Sequence, residues 1–196
     1  MTRISACRGS IASSLALVYQ RGTTGGISWL LSSEGFACDA LIGAQLVTVD
    51  GDVVEVDGAR HFTINQGFAE RYNDLAWVET AAEAGSVNIS IVVASPRPEP
   101  IAIAMMERHP LGSQIFYPLQ DQPWLVVVCG DPHDGESYRA FLANGRQGVN
   151  YARNTWHHPL LVREKESRFL VVDRKGPGDN LEEIRLAPAE ALLLKP

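Results

Sequence analysis

What most limits the fold of this chain is a succession of short β-rich runs separated by strong turn signals. Gln45–Val49, Asp52–Val56, Val87–Val93, Ile115–Tyr117, Trp124–Val128 and Phe169–Asp173 carry a high share of β-branched, apolar and aromatic residues. Between them stand Asp50-Gly51-Asp52, Asp57-Gly58, Pro96-Arg97-Pro98, Asp131-Pro132 and Gly176-Pro177-Gly178, whose positive or preset φ suits chain reversals. Strands so short and so spaced are expected to form an all-β sandwich or barrel. Helix is expected only in short pieces, best placed at Glu136–Leu142 and Pro188–Leu193. Residues 1–45 scatter Gly, Ser and Thr without a sustained period and read as an atypical extension, which leaves 46–196 as a single domain.

Charge narrows the range of partners. Seventeen basic residues stand against 23 acidic ones, for a net charge of -6, and no Lys/Arg run exceeds two residues. That pattern argues against a nucleic-acid footprint and in favour of a small-molecule ligand. The three cysteines, Cys7, Cys38 and Cys129, are too widely spaced for a structural zinc site and odd in number, so a reducing cytoplasm is the expected setting. Ile11–Tyr19 is too short and too serine-bearing for a good signal peptide, and no stretch approaches the ~18 to 20 apolar residues that would span a bilayer.

Two polar clusters interrupt the apolar pattern. In Glu107-Arg108-His109-Pro110-Leu111-Gly112-Ser113-Gln114, Pro110 pushes His109 toward extended backbone. Residues two apart on a strand share a face, so Glu107 and His109 point one way and Arg108 the other. Gln114 has the opposite parity and joins them only if Leu111-Gly112-Ser113 bends. In the second cluster, Gly148 to Pro159, Trp156 and His158 share one face and His157 takes the other, so one histidine of the pair faces a given pocket. Read without further context, His109 and His157 are core or turn histidines more often than functional ones. His61 and His133 sit in polar, loop-like contexts, and Cys129 ends an apolar run as a buried small hydrophobe would.

These clusters resemble the paired motifs of the cupin superfamily. The first maps as Glu107-x-His109-x4-Gln114 and the second as Asn154-Thr155-Trp156-His157, with Asn154 at a position where glycine is usual and left-handed backbone is needed. At a finer level, Asn65-Gln66-Gly67 with Glu70 to Leu75, then Arg108 to Gln114, then Gly148 to Tyr151 with Trp156 to Leu160, then Asp173-Arg174 together resemble the ureidoglycolate lyases. The resemblance spans about Gly51 to Leu193. It implies a cupin-type double-stranded β-helix, or jelly-roll barrel, with a few short helices, cleaving ureidoglycolate to glyoxylate and urea in allantoin and purine nitrogen catabolism, as a homodimer.

The resemblance also suggests roles. His109, His157, Glu107 and Asp173 are the candidates for proton transfer and its tuning. Arg71 and Arg174 are candidates for the substrate carboxylate, which an arginine fork grips in a bidentate way. Asn65, Gln114 and Asn150 offer amides to the ureido group, and Trp156 is a candidate pocket wall. Glu107, His109, Gln114 and His157 are the candidate ligands of a divalent cation, nickel by resemblance, and no organic cofactor is implied. Two other readings fit the same residues: a non-catalytic cupin that binds a small carboxylate, and a metal-dependent cupin enzyme with another substrate.

Overall fold

The computed structural model describes residues 51–194, which excludes the extension at 1–45 and the strand expected at Gln45–Val49. In chain order the strands are β1 (Gly51–Val54), β2 (His61–Ile64), β3 (Ala69–Tyr72), β4 (Ser86–Ala94), β5 (Ile101–Ile103), β6 (Met105–Arg108), β7 (Gln114–Pro118) and β8 (Trp124–Cys129). They continue as β9 (Arg139–Ala143), β10 (Gly148–Tyr151), β11 (Trp156–His157), β12 (Leu161–Val162), β13 (Ser167–Lys175), β14 (Glu182–Arg185) and β15 (Leu192–Leu194).

Two antiparallel sheets carry the fold. The first has the order β1-β10-β7-β13-β4; the second has the order β12-β8-β11-β6-β14, with β9 on the far edge of β8. The chain visits the first sheet at β4, β7, β10 and β13 and the second between these visits, which is the winding of a double-stranded β-helix. Side-chain alternation then sorts the core. Phe116, Trp124, Val126, Val128, Val149, Tyr151, Phe169 and Val171 pack between the two sheets. Leu125, Val127, Cys129, Met106 and Trp156 point to the other side of the second sheet, where Ile101, Ile103, Leu192 and Leu194 of the small β5–β15 sheet cover them.

Neither expected helix forms. At Glu136–Leu142 only Gly135–Ser137 makes a 3-10 turn, and Arg139–Ala143 pairs with β8. The burial period there is two: Tyr138, Ala140 and Leu142 pack on one cluster while Phe141 and Ala143 pack on the other. Pro188–Leu193 likewise ends in β15, where Leu192 and Leu194 are buried on one face against β5. The other 3-10 turns are Asn65–Gly67 and Ala82–Ala84.

Two features stand apart from this core. The β2–β3 hairpin forms its own two-stranded sheet with exposed strands, and β4 closes the first sheet with an open edge.

Candidate active site

Glu107, His109 and His157 come together where β6 meets β11. β6 and β11 are neighbours, and Glu107 stands directly opposite His157. Because Trp156 pairs with Cys129 and His157 with Val128, His157 turns to the inter-sheet core and Trp156 away from it. The Tyr151 ring lies flat on His157, with centroids 4.0 Å apart and an interplanar angle of 12°. His109 approaches from beyond the end of β6, its ring centroid 5.4 Å from that of His157. Asn154 ties the two clusters together: at φ 64° it adopts the left-handed backbone expected of it, and its N–H donates to the His109 carbonyl.

Hydrogen bonds at the outer ring nitrogens decide what the inner ones offer. His109 Nδ1 lies 2.6 Å from the Asn180 carbonyl, and His157 Nδ1 lies 2.8 Å from the Thr155 carbonyl. A carbonyl only accepts, so each Nδ1 carries the hydrogen and each Nε2 keeps a lone pair. Both Nε2 atoms are buried without a hydrogen-bond partner. His157 Nε2 and Glu107 Oε1 are 3.5 Å apart, a long electrostatic contact. One ligand atom from each of Glu107, His109 and His157 falls within 4.8 Å of the others.

The local charges follow. Burial pulls the Glu107 carboxyl upward, but the His157 contact and the charges of His157, His109 and His158 outweigh it, so it lies below the usual carboxylate value. Burial holds His109 below the ordinary histidine value; the Asn180 carbonyl opposes this, His157 adds to it, and Glu107 and Asp173 oppose it. His109 therefore stays neutral at pH values where a free histidine begins to charge. Two imidazoles and a carboxylate, each ring fixed by a backbone carbonyl, make a donor set suited to a divalent transition metal.

Gln114 joins this group. It pairs with Tyr151 across β7 and β10, shares that residue's inward face, and is buried with Oε1 unpartnered. The bend that brings it there is tight, since a Cβ at Gly112 would lie 2.6 Å from the Arg174 Cβ and 2.9 Å from the Glu79 carbonyl oxygen. Asp173 follows Phe169 and Val171 on the inward face of β13, accepts a hydrogen bond from Asn88 at 2.9 Å, and acts on His109 through its charge.

The remaining candidates lie elsewhere. Asn150 alternates with Tyr151 and faces the other side of the sheet, where its amide donates to the Trp77 carbonyl. Trp156 lies in the second core cluster beneath the Arg108 guanidinium, 4.5 Å from its ring centroid, so it does not wall this pocket. Arg174 is buried on the outward face, as its alternation with Asp173 implies, and donates to the carbonyls of Ala82, Glu83 and Pro177. Asn65 and Arg71 belong to the exposed hairpin, Asn65 at its tip with φ 50°. His61 and His133 are exposed, and Cys129 is buried with its thiol pushed up to about 12.

Tyr151 and Asn180 complete the site without having been singled out in the sequence. Tyr151 had a local signal, because it alternates with Asn150 in a short strand. Asn180 had none: its carbonyl meets His109 and its side chain accepts from the Leu111 N–H, both about seventy residues away in sequence.

The model of a family described as ureidoglycolate lyase matches residues 42–192. A protein named ureidoglycolate lyase from Pseudomonas syringae pv. syringae (strain B728a) is 51% identical over 148 residues, covering 74% of this chain and 87% of its own. Ureidoglycolate lyase 1 of Rhizobium meliloti (strain 1021) is 54% identical over 134 residues, covering 68% and 79%. Among solved structures, a 3,4-ketoisomerase from Helicobacter canadensis aligns with a TM-score of 0.42 at 14% identity, over 70% of this chain and 91% of its own.

Proposed function

This chain belongs to the ureidoglycolate lyase family, and on that premise we propose that it splits ureidoglycolate into glyoxylate and urea at the Glu107/His109/His157 cluster. It is a lyase that acts on ureidoglycolate. The products, a place in allantoin nitrogen catabolism, a cytoplasmic location and a homodimeric state belong to the proposal, with 46–196 as its catalytic unit. Among the described residues no helix is long and apolar enough to cross a membrane.

The observation that carries this reading is that one ligand atom from each of Glu107, His109 and His157 lies within 4.8 Å of the others, while both histidine Nε2 atoms are buried without a hydrogen-bond partner. Ureidoglycolate has a hydroxyl, a carboxylate and a ureido nitrogen on one carbon. Cleavage removes the hydroxyl proton, breaks the carbon–nitrogen bond as the carbonyl of glyoxylate forms, and places a proton on the departing urea nitrogen. No water is consumed. Glu107, His109 and His157, with the Gln114 oxygen as a fourth donor, would hold a divalent cation such as nickel. A bound cation supplies Lewis acidity to a substrate oxygen.

The chain's own groups do the rest. Asp173, held by the Asn88 amide and facing the same space, takes the hydroxyl proton at its carboxylate and returns it to the urea nitrogen. Gln114 offers its amide to the ureido group when it is not used as a donor to the cation. Tyr151 fixes the plane of His157 and, with Val128 and Val149 behind it, keeps bulk water from the reacting carbon. The test is a product assay on the purified chain: glyoxylate and urea in equal amounts support the reading, and ammonia without urea refutes it. Glyoxylate binding with no turnover would instead favour a non-catalytic carboxylate binder.

A further inference from the structure

The two histidines of the cluster are held in different ways. The carbonyl that takes the His157 Nδ1–H belongs to Thr155, two residues back, so that ring is oriented by its own stretch of chain. The carbonyl that takes the His109 Nδ1–H belongs to Asn180, 71 residues away, in the connection from β13 to β14. No other hydrogen bond reaches the His109 ring among the described residues, since its Nε2 is without a partner.

Strand register explains why Asn180 is free for this. β6 and β14 pair antiparallel, with Glu183 opposite Glu107 and Glu182 opposite Arg108. The same register continued past Arg108 would set Asn180 opposite Pro110, and proline has no N–H to give to a ladder. Pairing stops at Arg108 accordingly. Asn180 bridges the break with two bonds on either side of the proline. Its main-chain carbonyl lies 2.6 Å from His109 Nδ1, and its side-chain oxygen accepts the Leu111 N–H at 2.8 Å. The connection can run this close because Gly178, at φ 84°, has no Cβ: one built there would lie 2.7 Å from Leu111 Cδ1. The Asn154 N–H, from the turn before β11, donates to the His109 carbonyl at 3.1 Å and completes the hold on this segment.

We propose that Asn180 is the positioning residue of His109. Its side chain pins the backbone beyond Pro110, which keeps its own carbonyl against Nδ1 and leaves Nε2 as the nitrogen with the lone pair, offered to the cluster. The inference rests on the Glu107/His109/His157 cluster as the cation site and is independent of the substrate cleaved there.

The main-chain carbonyl survives any substitution, so the test is made on the side-chain oxygen that holds it in place. In metal-free wild-type protein, nitrogen-15 spectra of the imidazoles should show His109 as the Nδ1–H tautomer. Asn180→Ala should give a mixture of tautomers at His109 while leaving His157, held locally, as it was. The same substitution should weaken binding of nickel alone, by calorimetry, ~10- to 100-fold, the usual cost of losing a group that orients a ligating histidine. Asn180→Asp keeps an acceptor oxygen at the same reach and should restore both the tautomer and most of the affinity. Where the alanine variant does not fold, Asn180→Gln, whose oxygen is carried one methylene too far, supplies the same comparison. An unchanged His109 tautomer and nickel affinity in a folded Asn180→Ala protein overturns the proposal even if Tm falls, because a merely structural asparagine costs stability alone. So does an Asn180→Asp protein as impaired as Asn180→Ala. A wild-type chain that binds no nickel instead defeats the cation reading of the cluster, and the tautomer comparison then decides the role of Asn180 by itself.

Discussion

Replacing Arg174 separates a structural arginine from a substrate-binding one. Its Nε and one terminal nitrogen make contacts of 2.7 to 3.3 Å with the carbonyls of Ala82, Glu83 and Pro177, which clamps the Ala82–Ala84 turn and the turn at Pro177 onto the first sheet. A hydrogen bond from a charged donor contributes about 1.5 to 3 kcal/mol net, and these carbonyls are near enough to the surface for water to replace part of the loss. With three acceptors released at a discounted ~1 kcal/mol each, Arg174→Ala should destabilise the chain by ~3 kcal/mol, a fall of about 6 to 12 °C in Tm for a domain of this size. Arg174→Lys should recover only part of this, since one ammonium cannot span the same fork. Thermal melts and initial rates at a temperature where both proteins are folded are the assay. A large Tm loss with kcat/KM within about threefold of wild type is expected. An unchanged Tm with a collapse of kcat/KM would mean that Arg174 leaves its carbonyls to bind the carboxylate, and would refute the account of this residue.

The other predictions are more direct. His109→Ala and His157→Ala should each reduce turnover at least ~100-fold, by initial-rate assay, while near-normal rates in both would move the chemistry elsewhere. Nickel titrated into metal-free protein should bind once per chain by calorimetry and raise Tm, and Glu107→Gln should weaken both effects; equal binding by the variant would remove Glu107 from the donor set. Gly112→Ala should cost about 1 to 3 kcal/mol, because its Cβ meets the Arg174 side chain and the Glu79 carbonyl; a neutral melt would show that the bend has slack.

Acid stability offers a further check in metal-free protein. Burial, opposed by the Pro159 carbonyl and reinforced by Arg97, pulls His158 down to about 4. The unfolded chain then binds this proton first as the pH falls, so the contribution of His158 is complete above its ordinary value near 6.5. It is lost as the pH falls toward about 4 and amounts to ~3 kcal/mol across that window. His158→Gln should flatten this limb in urea melts at pH 7 and 4.5; an unchanged limb would contradict the burial argument.

How far the sequence could be read depended on the range of the interaction involved. Strand alternation is local, and it placed Glu107 with His109, His157 away from Trp156, and Asp173 opposite Arg174. Asn154 was equally readable, since its left-handed φ is a property of one residue. The expected helix at Glu136–Leu142 failed because one strand there feeds both clusters, with Tyr138 and Ala140 on one side and Phe141 on the other, so no single polar face marks its period. Arg174, Asn150 and Trp156 suited a polar pocket by residue type. What assigns them elsewhere is contact with Ala82, Trp77 and Arg108, which the folded topology brings from distant parts of the chain. Tyr151 is the converse case: an aromatic in an apolar strand reads as core, and only its stacking on His157 gives it a second role.

The central claim is that this chain cleaves the carbon–nitrogen bond of ureidoglycolate without consuming water. Its most direct test is to follow urea, glyoxylate and ammonia together in one reaction of the purified wild-type protein. Urea and glyoxylate should appear in equal amounts from the first time point, with no ammonia. Ammonia release with urea absent would contradict it.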